Sequence, residues 1–386
     1  MKRIFLLLLL SCALVACDKK ETEKRDYYVA AYIWPSCHDD AMAREYLWPE
    51  GEGEWEVIKK GNPRFEGHYQ PRLPYWGYEL DNDPMVVEKW INTALEYGVN
   101  TFVYDWYWFD GKPFLESALN DGFLKAPSNE KMNFYIMWAN HNVKRNYWNY
   151  HRYGDDTSQL WAGGVDRENF NIIVDRVIKQ YFTRPNYLKI NGCPIFSIFN
   201  VRLFIEGLGG VEEARDAIAY FRQKVQEAGF PDLHIQGMSG GPSDPSAQKL
   251  DKYVERVATL NLDSFALYNM GGFDVDYLKH CDKAVQIREW LDEHINAPVF
   301  PCVSVGWDDT PRFPHKGAEH VTRFNGTPKN FEAALRIAKQ YADNHPEQFP
   351  LITINAWNEW VEGSYLLPDQ VNGFGYLEAV KAVMKE

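Results

Sequence analysis

Two acids three residues apart, Glu359 and Glu362, stand in the run Asn355-Ala356-Trp357-Asn358-Glu359-Trp360-Val361-Glu362-Gly363, directly after the apolar stretch Leu351–Ile354. An acidic pair beyond a strand is often no more than a solvated turn. Here the acids are interleaved with Trp357 and Trp360 and bracketed by Asn358 and Gly363. Indoles packed around a carboxyl strip it of water and raise its pKa towards general-acid use. Glycoside hydrolysis needs such a pair, one group to protonate the leaving oxygen and one to act as base or nucleophile. The ends of the other apolar runs carry matching chemistry. They offer Tyr32 and Trp34; Asp105, Trp106, Tyr107 and Trp108; Trp138, Asn140 and His141; Asn200; Tyr268; and Trp307, Asp308 and Arg312. Amides and carboxylates bond hydroxyl groups, and indoles offer flat apolar faces to sugar rings. Each of these residues also has a plain reading, as a loop cap, an ion pair or core packing. The load of 14 Trp and 23 Tyr suits either a large aromatic core or a sugar-binding cleft.

Other chemistries find little support. No glycine-rich phosphate loop precedes a helix, and Gly207, Gly209 and Gly210 do not make the dinucleotide spacing. Neither a Gly-x-Ser-x-Gly elbow nor a His-Glu-x-x-His motif occurs. His38, His68 and His141 lack metal-ligand spacing, so neither a metal nor another cofactor is expected. With 54 acidic against 41 basic residues and a formal charge of −13, the chain is poorly suited to grip nucleic acid.

The elements that must position these groups follow from the hydrophobic pattern. Strands are expected at 27–33, 99–104, 132–138, 195–199, 233–238, 264–268, 299–305 and 351–355, mostly as near-continuous apolar runs. Such runs mean parallel strands buried on both faces. Helices are expected at 85–97, 114–120, 167–181, 212–228, 247–258, 276–295, 330–344 and 376–384, the first opened by Asp83 and Pro84. Eight strands alternating with helices match a single (β/α)8 barrel, with a doubly wound sheet as the rival. Two connections, Trp34 to Asp83 and Ala139 to Asp166, are far longer than a βα loop requires. Both leave carboxyl ends of strands, where barrel active sites sit, and both are rich in Trp, Tyr, His and Asn. They are expected to build the site, the alternative being a small structural subdomain.

The first residues read as an address. Lys2 and Arg3 precede the apolar Ile4–Leu10, which is too short to span a bilayer, and Leu14-Val15-Ala16-Cys17 resembles a bacterial lipobox. Cleavage would remove residues 1–16, expose Cys17 for acylation, and take the charge from −13 to −15 by loss of Lys2 and Arg3. Residues 17–26 would then be a polar tether and 27–386 a single catalytic domain. The expected location is the cell envelope of a Gram-negative bacterium, lipid-anchored on a periplasmic or surface face. Of the six Cys, Cys37, Cys193, Cys281 and Cys302 remain in the mature chain, where thiols are expected mostly buried and no pairing follows from spacing.

The Asn-Glu-Trp-x-Glu-Gly segment resembles the signature of glycoside hydrolase family 99 and its WbsX-type relatives. Three more segments agree with the WbsX branch: Tyr104-Asp105-Trp106-Tyr107-Trp108-Phe109, Met137-Trp138-Ala139-Asn140, and Pro301-Cys302-Val303 through Gly306-Trp307-Asp308-Asp309-Thr310-Pro311-Arg312. The resemblance spans roughly residues 30 to 370. It implies a (β/α)8 barrel hydrolysing α-linked, mannose-type glycans. In the family one acid of the signature deprotonates the sugar 2-hydroxyl, which attacks C1 to give a 1,2-anhydro intermediate. The other serves as general acid, then general base. Carried over, Glu359 is that base and Glu362 the acid/base. WbsX relatives commonly carry Glu after the Trp-Ala-Asn of strand three, where this chain has His141. The partner implied is an oligo- or polysaccharide. A glycan-binding surface lipoprotein and a glycosyltransferase of polysaccharide assembly are the alternatives. Linkage, endo or exo action and oligomeric state are not legible.

Overall fold

The computed structural model describes residues 25–239, 246–320 and 324–385. The expected signal peptide, Cys17 and the tether up to residue 24 lie outside the described residues. Arg25, placed in the tether, already belongs to the folded body: its guanidinium donates to the carbonyl of Ala342 at 2.6 Å and to that of Gln348.

Eight parallel strands form the barrel: β1 Tyr28–Ile33, β2 Thr101–Phe109, β3 Asn133–Trp138, β4 Cys193–Ile198, β5 His234–Ser239, β6 Ser264–Leu267, β7 in two pieces at Val299–Phe300 and Cys302–Ser304, and β8 Leu351–Asn355. Neighbours in sequence pair from β1 through β6. Pro301, which has no N–H for a ladder, separates the halves of β7. The first half pairs with β6 and the second with β8, and β8 pairs with β1, so the sheet closes.

Around the barrel lie α1 Pro84–Tyr97, α2 Arg167–Val177, α3 Val201–Leu208, α4 Val211–Glu227, α5 Ala247–Leu260, α6 Tyr277–His294, α7 Pro328–Asn344 and α8 Gly375–Met384. α1 starts as its sequence requires, with the Asp83 carboxylate accepting from Met85 N and proline at the first turn, and ends on Gly98 at φ +97°. Three expectations are corrected. β2 runs five residues beyond Tyr104, because Asp105 and Trp106 stay paired with β3 and Tyr107–Phe109 pair with Lys112–Phe114. The helix expected at 114–120 is instead a single wide turn at Ala118–Phe123. α3 was not anticipated; it is short, capped by the Asn200 side chain at Leu203 N, and strongly amphipathic.

The two long connections are built, not loose. The first carries short helices at Ala41–Tyr46 and Trp55–Ile58, and it is closed at its far end by Asp81, which binds His38 Nδ1 at 2.6 Å and Cys37 N at 2.9 Å. The second carries a small hairpin, Val143–Lys144 with Gln159–Trp161, and short helices at Arg145–Trp148 and Tyr150–Tyr153. The two touch where Asn149 Nδ2 donates to Leu47 O at 2.7 Å. Of the four described Cys, all free thiols, Cys37 and Cys281 are buried and Cys193 and Cys302 half-buried. Among the described residues no helix is long and apolar enough to cross a membrane.

Candidate active site

Side chains alternate across a strand, so every second residue of a barrel strand points inward. On β2 these are Asp105 and Tyr107, on β3 Met137 and just past it Ala139, and just past β1 Trp34. All line one cavity of about 320 Å³ at the carboxyl ends of the strands, with His141, Tyr147, Trp148, Phe199, Tyr268, Asn269, Trp307, Arg312, Glu359 and Glu362. The turn after β8 delivers both glutamates. It opens on a cis peptide between Asn355 and Ala356 and contains a two-residue ladder joining Asn358–Glu359 to Ser364–Tyr365. Gly363 lets it close: φ is +60°, and a Cβ there would lie 2.8 Å from that of Asp308.

Glu359 is 4% exposed and Glu362 7% exposed. Glu359 Oε2 accepts from the Tyr268 hydroxyl at 2.8 Å and from Asn355 Nδ2 at 3.2 Å. Glu362 Oε1 accepts from Arg312 Nη1 at 2.5 Å. Burial pushes Glu359 well above the usual carboxylate range, and the charge of Glu362 adds to this against the pull of Arg312. Glu362 is raised less, because burial is opposed directly by Arg312. The two acids of one turn thus face different surroundings, the condition under which a carboxyl pair divides acid and base roles. Asp105, also raised well above its ordinary value by burial, accepts from the same Tyr268 hydroxyl at 2.9 Å.

Arg312 is 2% exposed and holds a second anion that the sequence did not suggest. Glu54, fully buried, lies 3.4 Å from Arg312 Nε and accepts from Trp34 Nε1 at 2.5 Å and Ser36 Oγ at 3.1 Å. Arg312 is therefore shared between Glu54 and Glu362, not paired with Asp308 as the spacing allowed. His141 faces the cavity as a neutral imidazole, its pKa brought down to about 4 by burial. Gly163 sits against its backbone, where a Cβ would approach the His141 N and C atoms at 2.5 Å. Trp148 stacks parallel to Trp48 and meets Trp34 edge-on at 5.2 Å.

Of the residues expected in the site, Trp34, Asp105, His141, Tyr268, Trp307, Arg312, Glu359 and Glu362 meet in this cavity. The rest do not line it. Trp106 and Trp108 point outward from β2, donating to Glu116 Oε1 at 2.8 Å and Asn169 Oδ1 at 3.2 Å. Trp138 likewise packs outward, against Phe170 and Phe204. Tyr32 lies beneath the cavity floor, its ring 4.7 Å from that of Tyr268. The Asn140 side chain holds the Asn200 backbone, donating from Nδ2 to its carbonyl at 2.9 Å and accepting from its N–H at Oδ1 at 2.7 Å, and so joins β3 to the start of α3, which the Asn200 side chain caps. Asp308 is a structural anion, held by His68 at 2.9 Å, Gln70 at 2.7 Å, Arg72 at 2.8 Å and Thr310 Oγ1 at 2.5 Å. Trp357 packs against Phe102, and Trp360 stacks on Tyr365 at 3.9 Å. Asn358 clasps the backbone of Trp34 through both its amide atoms, each at 2.8 Å, and so positions an indole of the site without lining it. Tyr107, offered with Asp105 at the end of the second run, lines the cavity as the period-two rule applied from Asp105 requires, and so does Asn269 beside Tyr268; Glu54, Tyr147, Trp148 and Phe199 were not among the expected site residues, and nothing local marks Glu54. Among the described residues no group of three His, Cys, Asp or Glu is arranged to hold a metal ion.

Comparison with known proteins adds three findings. A family model described as "Glycosyltransferase WbsX" matches residues 29–380. A protein of Xanthomonas campestris pv. campestris, described as "Uncharacterized protein WxcX", is 25% identical over 376 residues, covering 92% of this chain and 49% of its own length. The chain thus spans about half the length of the curated relatives it matches. Among solved structures, the GH99 endo-α-mannosidase of Bacteroides thetaiotaomicron superposes with a TM-score of 0.60 at 15% identity, over 93% of this chain and 97% of that one. A "glycoside hydrolase-like protein" gives 0.59 at 15% identity, over 93% and 94%. At such identity the likeness speaks for the fold, a (β/α)8 barrel of the type seen in glycoside hydrolase family 99.

Proposed function

The chain belongs to the WbsX family, and from that premise we propose that it is a glycoside hydrolase acting on α-linked, mannose-type glycans. The observation that carries the reading is the pair Glu359 and Glu362, buried on one turn and given different partners inside an indole-lined cavity. Trp34, Trp148 and Trp307 supply flat apolar faces, while Asn269 and the acids supply hydrogen-bond partners for hydroxyls. The family 99 barrel of Bacteroides thetaiotaomicron, similar in fold, is an endo-α-mannosidase.

In the proposed reaction Glu359, ionised although burial and the charge of Glu362 oppose this, takes the proton of the sugar 2-hydroxyl as its oxygen attacks C1. Glu362 gives its proton to the departing glycosidic oxygen. A 1,2-anhydro sugar results. Glu362, now ionised, takes a proton from water as the water oxygen opens the ring at C1, and Glu359 returns its proton to O2. Two inversions leave the configuration at C1 retained. Arg312 stabilises the Glu362 carboxylate formed between the two steps. The N-terminal lipobox supports export and anchoring of this activity on a membrane of the cell envelope.

The family's description as a glycosyltransferase favours a second reading, transfer from an activated donor. One experiment separates the two: the full chain and its Glu362→Gln variant are incubated with a panel of α-mannans and other α-linked polysaccharides. Oligosaccharides released by the parent chain alone support hydrolysis with Glu362 as acid, and their length reports endo or exo action. No release, together with a melting shift on adding nucleotide sugars, would replace hydrolysis by transfer.

A further inference from the structure

The Tyr268 hydroxyl lies 2.9 Å from Asp105 Oδ2 and 2.8 Å from Glu359 Oε2. A phenol has one hydrogen, and an ionised carboxylate only accepts. Both contacts are hydrogen bonds only if one of the two carboxyls carries a proton and donates it to the phenol oxygen. The surroundings distinguish the two. Glu359 has a second donor in Asn355 Nδ2 and feels the positive charge of Arg312. Asp105 is 4% exposed, its Oδ1 is buried without a hydrogen-bond partner, and among the described residues no Lys, Arg or His pairs with it. A charge is held where donors surround it and is lost where they do not.

We infer that Asp105 is a neutral carboxylic acid in the working protein and that, through the Tyr268 hydroxyl, it keeps Glu359 ionised as a base; this rests on the hydrolase reading of the site. The Asp105 proton occupies one lone pair of the phenol oxygen, so the phenol's own hydrogen turns towards Glu359. The orientation is fixed before substrate arrives. Asp105 and Tyr268 are therefore positioning residues for Glu359. The other charged or titratable groups facing this chain of hydrogen bonds are Glu362 on the same turn as Glu359, Arg312 with Glu54 behind it, and the phenols Tyr32, Tyr107 and Tyr147. Glu362 disfavours charge on both Asp105 and Glu359, but Arg312 offsets it chiefly at Glu359.

The test uses the full chain and two readouts. In infrared difference spectra at neutral pH the parent protein shows a protonated-carboxyl C=O band, which Asp105→Asn removes and Tyr268→Phe shifts. In pH–rate profiles on a cleavable α-glycan, Asp105→Asn lowers turnover within about tenfold but leaves the acid limb in place, because a neutral amide replaces a neutral acid. Asp105→Ala, which offers no donor, loses at least tenfold more. Had Asp105 been ionised, removing its charge a few Å from Glu359 would move the acid limb towards lower pH by more than about one unit. Such a movement, or a carboxyl band unchanged in Asp105→Asn, overturns the inference. If no glycan is turned over, the hydrolase reading fails by itself, and the infrared band still decides the protonation of Asp105.

Discussion

Glu54→Gln isolates the electrostatic sharing of Arg312. The amide keeps the shape of the side chain and can still accept from Trp34 Nε1 and Ser36 Oγ, so the packing beneath the cavity survives. What disappears is one of the two negative charges on the guanidinium. Glu54 meets Arg312 at Nε at 3.4 Å and Glu362 meets it at Nη1 at 2.5 Å, which puts the two carboxylates roughly 7 Å apart across the guanidinium plane. At an effective dielectric of about 20, two unit charges at that separation repel by about 2 kcal/mol. Removing Glu54's charge therefore lowers the Glu362 pKa by between about one and two units. In the proposed reaction Glu362 must be protonated to act as the acid, so the alkaline limb of kcat/KM should move towards lower pH by that amount. At a pH above the displaced limb the loss of rate is about tenfold or more, while turnover on the acid plateau changes little. The assay is a pH–rate profile on a glycan with a fluorogenic leaving group, with thermal melting to verify folding. An alkaline limb coincident with that of the parent protein, in a folded variant, refutes the claim that Glu54 tunes the acid.

Three further outcomes are expected. Asp308→Ala leaves His68, Gln70 and Arg72 facing a buried void and should cost about 3–5 kcal/mol in denaturant unfolding. The folded Asp308 pKa is depressed by its hydrogen-bond donors and Arg72 against burial, so its contribution is present above the unfolded carboxylate value and is lost as pH falls through the folded one. The parent protein should therefore lose stability on acidification more steeply than Asp308→Ala. His141 acts in the same direction in a higher pH window: its pKa is lowered to about 4, so between about 6.5 and 4 the unfolded chain binds the extra proton and stability falls with falling pH, by at most about 3 kcal/mol. His141→Gln should flatten the stability–pH slope in that window, and an unchanged slope would show the imidazole to be solvated. Trp307 is half-buried and faces the cavity, so Trp307→Ala should raise KM about tenfold, equivalent to about 1.4 kcal/mol, with kcat within a few-fold. A change confined to kcat would place the indole against the transition state instead.

The architecture was legible because parallel barrel strands carry long apolar runs, and eight of them alternate with amphipathic segments whose caps obey simple rules. The acids of the β8 turn were legible for the same reason: they follow immediately upon a buried run. Three of the residues that fall outside the cavity, Trp106, Trp108 and Trp138, share one cause. Residues at a strand's carboxyl end stand together in sequence, although alternate ones face opposite layers. Asp105 turns into the cavity while Trp106 and Trp108 turn to the helices, and Trp138 follows the same rule on β3. Glu54, Tyr147 and Trp148, which stayed hidden, belong to the two long connections. Glu54 reaches Arg312 across 258 positions, and no periodicity reports a contact of that range. Asp308 read as a sugar ligand because its partners His68, Gln70 and Arg72 are equally remote in sequence.

The pairing of β1 with β8 makes closure of the site a late event along this chain. During synthesis from the amino end, Trp34, Asp105 and Tyr268 exist long before the segment that carries Glu359 and Glu362. Until that segment emerges, β1 has an unfilled edge, Trp34 lacks the clasp of Asn358, and Arg312 has only Glu54 to hold. A chain that stops short of β8 therefore lacks the closed barrel and the two buried acids together, so closure of the sheet and delivery of Glu359 and Glu362 to the cavity are a single event.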